Sequence, residues 1–167
     1  MREIVLIAHD IRSAHNVGSL LRTADGYGVK RVYLTGYTPF PAHAKDDRLP
    51  HLSAKLTKQI SKTALGAETN TNLWKQHTDV KKLINKLHAD DFSIFALEQT
   101  NSSMKLPGFD PPEKVAILLG REVEGVDTEL LELCDKVLEI PMYGKKESFN
   151  VIEAATAAIY HCRFHPF

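Results

Sequence analysis

The strongest constraint on this chain is the alternation of short apolar runs with stretches of helical period. Glu3–Ala8 (EIVLIA) and Val115–Leu119 (VAILL) have the length and apolar continuity of buried strands. Arg31–Thr35 (RVYLT), Ser93–Leu97 (SIFAL) and Val137–Ile140 read as three more, the last halted by Pro141. Between them, Val17, Leu20, Leu21 and Ala24 recur at helical spacing, with Asn16 as N-cap and Gly26 and Gly28 as the stop. Leu56, Ile60 and Ala64 predict a short helix that exposes Lys55, Lys58 and Lys62. Val80, Leu83, Ile84 and Leu87 predict an amphipathic helix starting near Thr78 or Asp79. Asp127 can cap a helix running through Leu130, Leu131 and Cys134, and a last helix spans about Asn150 to His161. Gly36–Pro50, with three prolines, and the polar stretch Glu98–Lys114 read as loops. Strand and helix in alternation imply right-handed crossovers: an α/β fold, a mostly parallel sheet with helices on both faces. No repeat or linker divides residues 1–167, so a single domain is expected.

Composition narrows the function classes. The 167 residues are 43% hydrophobic and 25% charged, which suits one globular core and argues against disorder. No apolar run reaches the roughly 20 residues of a membrane span, and residues 1–30 lack the order of a secretory signal. A cytoplasmic protein without a membrane association is the expectation. Cys134 and Cys162 are too few for a disulfide framework and lack metal-ligand spacing.

The formal charge is zero, from 21 basic and 21 acidic residues, yet the distribution is uneven. Residues 1–39 carry a net +2, residues 40–86 +5, residues 87–140 −8 and residues 141–167 +1. A basic middle cancelled by an acidic later part hints at an anionic partner for one surface, although solvated helix faces produce such runs too.

In an open parallel sheet, ligands gather beyond the carboxyl ends of the strands. Three turns there hold polar residues or glycine: Asp10–Arg22, Gly120–Asp127 and Pro141–Asn150. Several chemistries fail on spacing. Gly26-Tyr-Gly28 follows a helix instead of opening one and lacks the third glycine of a dinucleotide fingerprint. Gly144-Lys145-Lys146 lacks the preceding glycine of a phosphate-binding loop. His9 and His15 do not stand at a helical ligand spacing, and no metal is expected. Cys134 falls on an apolar helix face and reads as core, not nucleophile. Arg22, beside the apolar stripe of the first helix, offers a planar five-donor fork suited to phosphate, or is an ordinary surface arginine.

Three segments taken together carry more. Asn16-Val-Gly18-Ser-Leu-Leu-Arg22-Thr-Ala24, Leu118-Leu-Gly120-Arg-Glu122-Val-Glu-Gly125-Val-Asp127, and Ile140-Pro141-Met142 leading to Ser148-Phe-Asn150-Val stand in order along the chain. In this order and spacing they resemble the SpoU, or TrmH-like, class of SPOUT RNA methyltransferases, over about residues 3 to 163. The resemblance implies methyl transfer from S-adenosylmethionine to a ribose 2′-hydroxyl of tRNA or rRNA, with tRNA the first choice. It also implies a homodimer and a C-terminal trefoil knot around the cofactor; topology rules alone would have steered away from a knot. Carried onto this chain, Leu97, Gly120, Ile140, Met142 and Ser148 would hold the cofactor. Arg22 would be the catalytic arginine, with Asn16 and Glu122 positioning it, and Ser148 and Asn150 completing the catalytic set. Arg48, Lys55, Lys58 and Lys62, with Arg22, would contact RNA. Phe149 replaces a usual leucine, and Ile152-Glu153 stand where smaller residues are common, changes that bear on the shape of the substrate pocket. A non-catalytic RNA-binding relative and a base-methylating SPOUT enzyme are the alternatives.

Overall fold

The structure is a computed structural model that describes residues 1–166. In chain order the elements are β1 (Glu3–His9), α1 (Ala14–Gly26), β2 (Arg31–Thr35), α2 (Pro50–Ala64), β3 (Trp74–His77), α3 (Val80–Ala89), β4 (Ser93–Leu97), β5 (Met104–Lys105), β6 (Lys114–Leu119), α4 (Thr128–Leu131), β7 (Lys136–Glu139) and α5 (Val151–Phe164). The strands form one sheet in the order β3-β2-β1-β6-β4-β7-β5, every neighbouring pair parallel.

The continuous apolar runs are explained by burial on both faces. In β1, Ile4, Leu6 and Ala8 join the core beneath α1 and α5, while Val5 and Ile7 join the core beneath α3 and α4. Helix α2 lies outside α1 and reaches the first core through Ile60 and Ala64. Gly18 permits that stacking: a Cβ there would collide with the Ile60 carbonyl and the Thr63 hydroxyl. That hydroxyl donates instead to the His15 carbonyl at 2.7 Å, stitching the two helices together. The glycine of the first motif is therefore a helix-packing residue.

Several boundaries differ from the sequence reading, each for a local reason. The N-cap of α1 is Ser13, not Asn16; its hydroxyl accepts the Asn16 N–H at 3.2 Å, one turn into the helix. Asp127 stands at the cap position of α4 but its side chain ion-pairs with Arg121 and makes no capping bond. Helix α4 stops at Leu131, so Cys134 lies in the following turn, half-buried, with its thiol 3.2 Å from the Leu130 carbonyl. Burial and the Asp135 charge push that thiol up to about 12, and burial does the same for Cys162. The sheet has two strands more than expected, β3 and β5, at its two edges. Both are mostly polar, because an edge strand need not be buried on both faces; of β3 only Trp74 is buried, and β5 is exposed throughout.

Substituting Gly18→Ala tests the helix contact. Overpacking costs about 1–3 kcal/mol, against a helix-propensity gain of about 1 kcal/mol for replacing glycine. A melting temperature lowered by a few degrees is expected; an unchanged or raised one would show that α1 and α2 separate without cost.

Candidate active site

A cavity opens at the carboxyl ends of β4, β6 and β7. Its apolar wall comes from Leu97, Leu119, Leu138, Ile140 and, on α5, Val151 and Ala154. Its polar rim includes Glu98, Glu122, Glu139 and Ser148. Of the residues expected to hold the cofactor, Leu97, Gly120, Ile140 and Ser148 are brought together here. Met142 lies just past β7, half-buried, and is not part of this wall.

The loop after β6 forms one side. Arg121 N–H and Gly125 N–H each donate to the other's carbonyl at 3.1 Å, folding residues 121–125 back on themselves. A Cβ on Gly120 would sit 2.5 Å from the Gly125 backbone, so the loop closes only on glycine. Gly125 has φ +71°, and a Cβ there would meet the Glu98 carboxylate. That carboxylate accepts the Val126 N–H at 3.0 Å and the Gln99 N–H at 2.8 Å, bracing the loop from below. Glu98 lies in a polar stretch with no motif around it, and no sequence signal pointed to it.

Glu122 braces the loop from the other side. Its carboxylate accepts the backbone N–H of Arg12 (3.1 Å) and Ser13 (3.1 Å), together with the Asn16 side-chain amide (3.0 Å). These donors cluster at the start of α1, where the helix dipole favours an anion. Burial by itself pushes the Glu122 carboxyl up, but the hydrogen bonds from Arg12, Ser13 and Asn16 together hold it below the usual carboxylate range. The second-motif glutamate and the first-motif asparagine, 106 positions apart, thus meet directly. Arg12 continues the contact through an ion pair with Glu124 at 2.6 Å.

Arg22 is elsewhere on the same helix. Six residues after Asn16, it lies about 9 Å further along the axis, exposed in a groove between α1 and α2 with Ser19, Thr23 and Lys62. Its side chain has no hydrogen-bond or ion-pair partner among the described residues. It does not line the cavity, so one chain leaves the two halves of the expected catalytic set apart. Ser148 is exposed at the rim, whereas Asn150 caps α5 by accepting the Ile152 N–H at 2.8 Å.

Of the residues expected to contact RNA, Lys55, Lys58 and Lys62 project from α2 into solvent. Arg48 does not. Its guanidinium lies 3.6 Å over the Phe40 ring, pairs with Asp46 at 2.6 Å and donates to the Phe40 carbonyl at 3.0 Å. Asp46 also accepts from the Ser53 hydroxyl, and the Arg48 contacts hold its carboxyl well below the usual range. The 36–49 loop is therefore folded around Arg48, whose donors are consumed internally.

Spatial proximity also assembles a trio that spacing did not suggest. His9, Asp10 and Asp127 bring potential ligand atoms within 4.8 Å of one another, with His9 Nε2 3.4 Å from Asp10. Arg121 ion-pairs with Asp127 beside them. Burial lowers the His9 pKa, opposed by the charges of Asp10 and Asp127.

The Glu122 contact has a pH signature. A carboxyl whose folded pKa is depressed adds stability above its unfolded value, about 4.3, and that stability disappears as pH falls through the lower folded value. Glu122→Gln should therefore reduce the unfolding free energy at pH 7, with the difference from wild type shrinking below about pH 4. Urea denaturation of both proteins across that range measures it; a difference independent of pH would assign the effect to shape and not charge.

Known proteins place this geometry. The family model for the SpoU rRNA Methylase family matches residues 3–160. A tRNA (guanosine(18)-2′-O)-methyltransferase of Aquifex aeolicus is 27% identical over 97% of this chain and 69% of its own length. A 23S rRNA (guanosine(2553)-2′-O)-methyltransferase of Bacillus subtilis is 28% identical over 95% of this chain, which spans only 57% of that relative. Among solved structures, an AdoMet-bound rRNA methyltransferase from Sinorhizobium meliloti superposes over 99% of this chain and 57% of its own, with TM-score 0.81 and 20% identity, and so shares the fold. With a match that runs from the first strand into the last helix, the chain belongs to the SpoU rRNA Methylase family, in the SpoU class of the SPOUT superfamily.

Proposed function

We propose that this protein transfers a methyl group from S-adenosylmethionine to a ribose 2′-hydroxyl in tRNA or rRNA. The observation that carries the reading is the direct contact between Asn16 and Glu122 on the rim of the β4–β6–β7 cavity. The related enzymes of Aquifex and Bacillus, named for a tRNA and an rRNA, support ribose as the acceptor.

The cavity fits the cofactor in kind. Leu97, Leu119 and Ile140 offer apolar surface to a purine, and the turns that carry them offer backbone donors and acceptors. The carboxylates of Glu98, Glu122 and Glu139 suit a cationic sulfonium. When bound, S-adenosylmethionine supplies an activated methyl group, and no metal enters this reading. The protein's task is then to hold the acceptor ribose. Arg22 acts as a phosphate clamp: a guanidinium keeps its proton throughout the physiological range and is a poor base, but its fork orients a phosphodiester well. Lys62 shares its groove, and Lys55 and Lys58 extend the basic surface along α2.

A homodimer is part of the proposal. Tyr27, Leu106, Pro107, Tyr160 and Phe164 line an open apolar face at the end of α1 and along α5, with Tyr160 57% and Phe164 60% exposed. Covering it with a second copy would bury apolar surface and can unite an Arg22 groove with a cavity that one chain keeps apart. The C-terminal trefoil knot and a cytoplasmic location belong to the same reading; no helix among the described residues is long and apolar enough to cross a membrane.

Incubation with methyl-labelled S-adenosylmethionine and total RNA should yield label in nuclease-resistant 2′-O-methyl dinucleotides. Label on a base, or none, would overturn the ribose reading. Arg22→Ala should lower turnover at least 100-fold while the melting temperature and calorimetric cofactor affinity change little; retained turnover would remove Arg22 from the catalytic set.

A further inference from the structure

The segment from Pro141 to Asn150 joins β7 to α5 with both of its ends in the cavity wall, Ile140 on one side and Ser148 with Phe149 on the other. Its middle carries Tyr143, Gly144, Lys145 and Lys146, all exposed. Tyr143 is 97% exposed, the most exposed aromatic ring of the described residues. No hydrogen bond, ion pair or ring contact involves the side chains of Tyr143, Lys145 or Lys146 among the described residues. An aromatic ring usually hides well over 100 Å² of its surface, so this one is held out from the protein by the loop that bears it.

The surroundings say what it suits. The preceding stretch, residues 87–140, carries a net −8, and the two lysines, followed by the exposed Glu147, come after it in the loop between Ile140 and Ser148. A lone ring flanked by ammonium groups lacks the contiguous apolar area of a protein-docking patch. It matches the pattern of a site for single-stranded nucleic acid, an aromatic face for a base and cations for the adjoining phosphates.

We propose that residues 143–146 form an RNA-gripping tip, Tyr143 stacking on a base beside the nucleotide to be methylated and Lys145 and Lys146 contacting its phosphates. The proposal rests on the methyltransferase reading of the adjoining cavity. It adds a second RNA contact from the C-terminal part of the chain, far in sequence from the basic surface of α2. Because stacking accepts any base, the tip contributes affinity and geometry, and leaves the choice of nucleotide to other contacts.

Fluorescence anisotropy with a short labelled oligoadenylate tests it on the full chain. Tyr143→Ala should weaken binding roughly 5- to 150-fold, the span measured for single base–aromatic stacks. Tyr143→Trp should restore binding and Tyr143→Leu should not. The K145A/K146A pair should reduce the slope of log affinity against log salt by about 1.4, about 0.7 for each phosphate contact on a single strand. S-adenosylhomocysteine affinity by calorimetry, melting temperature and sedimentation should stay as in wild type for all four variants. Unchanged RNA binding in Tyr143→Ala, full rescue by leucine, a parallel loss of S-adenosylhomocysteine binding, or an altered oligomeric state would each overturn the proposal, the last by making the tip a subunit contact. Should wild type neither bind S-adenosylhomocysteine nor methylate RNA, the methyltransferase reading fails, while the oligoadenylate titrations still decide the tip.

Discussion

The arrangement of the cavity depends on where the Glu122 charge is placed. A carboxylate drawn partly out of water is costly unless donors replace the water it loses. Here Arg12 and the N-cap Ser13, just ahead of α1, supply two backbone N–H groups, and Asn16 supplies a third donor. The bond set satisfies both sides at once: the helix start gains an acceptor and the loop after β6 gains a fixed position. Glu98 does the same work from beneath, through Val126. Between the two carboxylates, Gly120 and Gly125 let the backbone fold closely enough for both to reach.

Much of this is legible in the sequence, for physical reasons that differ by element. Arg31–Thr35 and Ser93–Leu97 fall where their apolar runs begin and end, because interior strands have no choice of side to expose. Trp74–His77 carries no strand pattern because its outer residues satisfy no burial requirement, and Met104–Lys105 is too short to carry one. Asparagine favours a capping position, which points Asn16 to that role; Ser13 serves it, which releases the Asn16 amide to reach Glu122. The motif residues around the cavity were found only through family resemblance. Spacing alone carried no hint that positions 16 and 122 touch, and none that Arg48 turns inward.

The division of charge along the chain acquires a spatial meaning. The acidic stretch contributes Glu98, Glu122 and Glu139 to one rim, while the basic stretch contributes Lys55, Lys58 and Lys62 to the exposed side of α2. Arg48, counted among the basic residues, pairs with Asp46 of the same stretch, which leaves the net +5 unchanged but puts the outward positive charge on the lysines and not on Arg48. Net charge by segment thus points to the right elements and does not say which basic residues within them face outward.

The strand order has a consequence for how this chain is made. β1 pairs with β2 within its first 35 residues, but its other neighbour is β6, with Glu3 opposite Lys114. During synthesis, one side of this apolar strand therefore waits, unpaired, until residues 114–119 have been made. Non-local parallel pairing of this kind is slow and exposes sticky edges. The nascent chain, more than the finished protein, is where this architecture is vulnerable, and where a chaperone holding residues 3–9 would matter most.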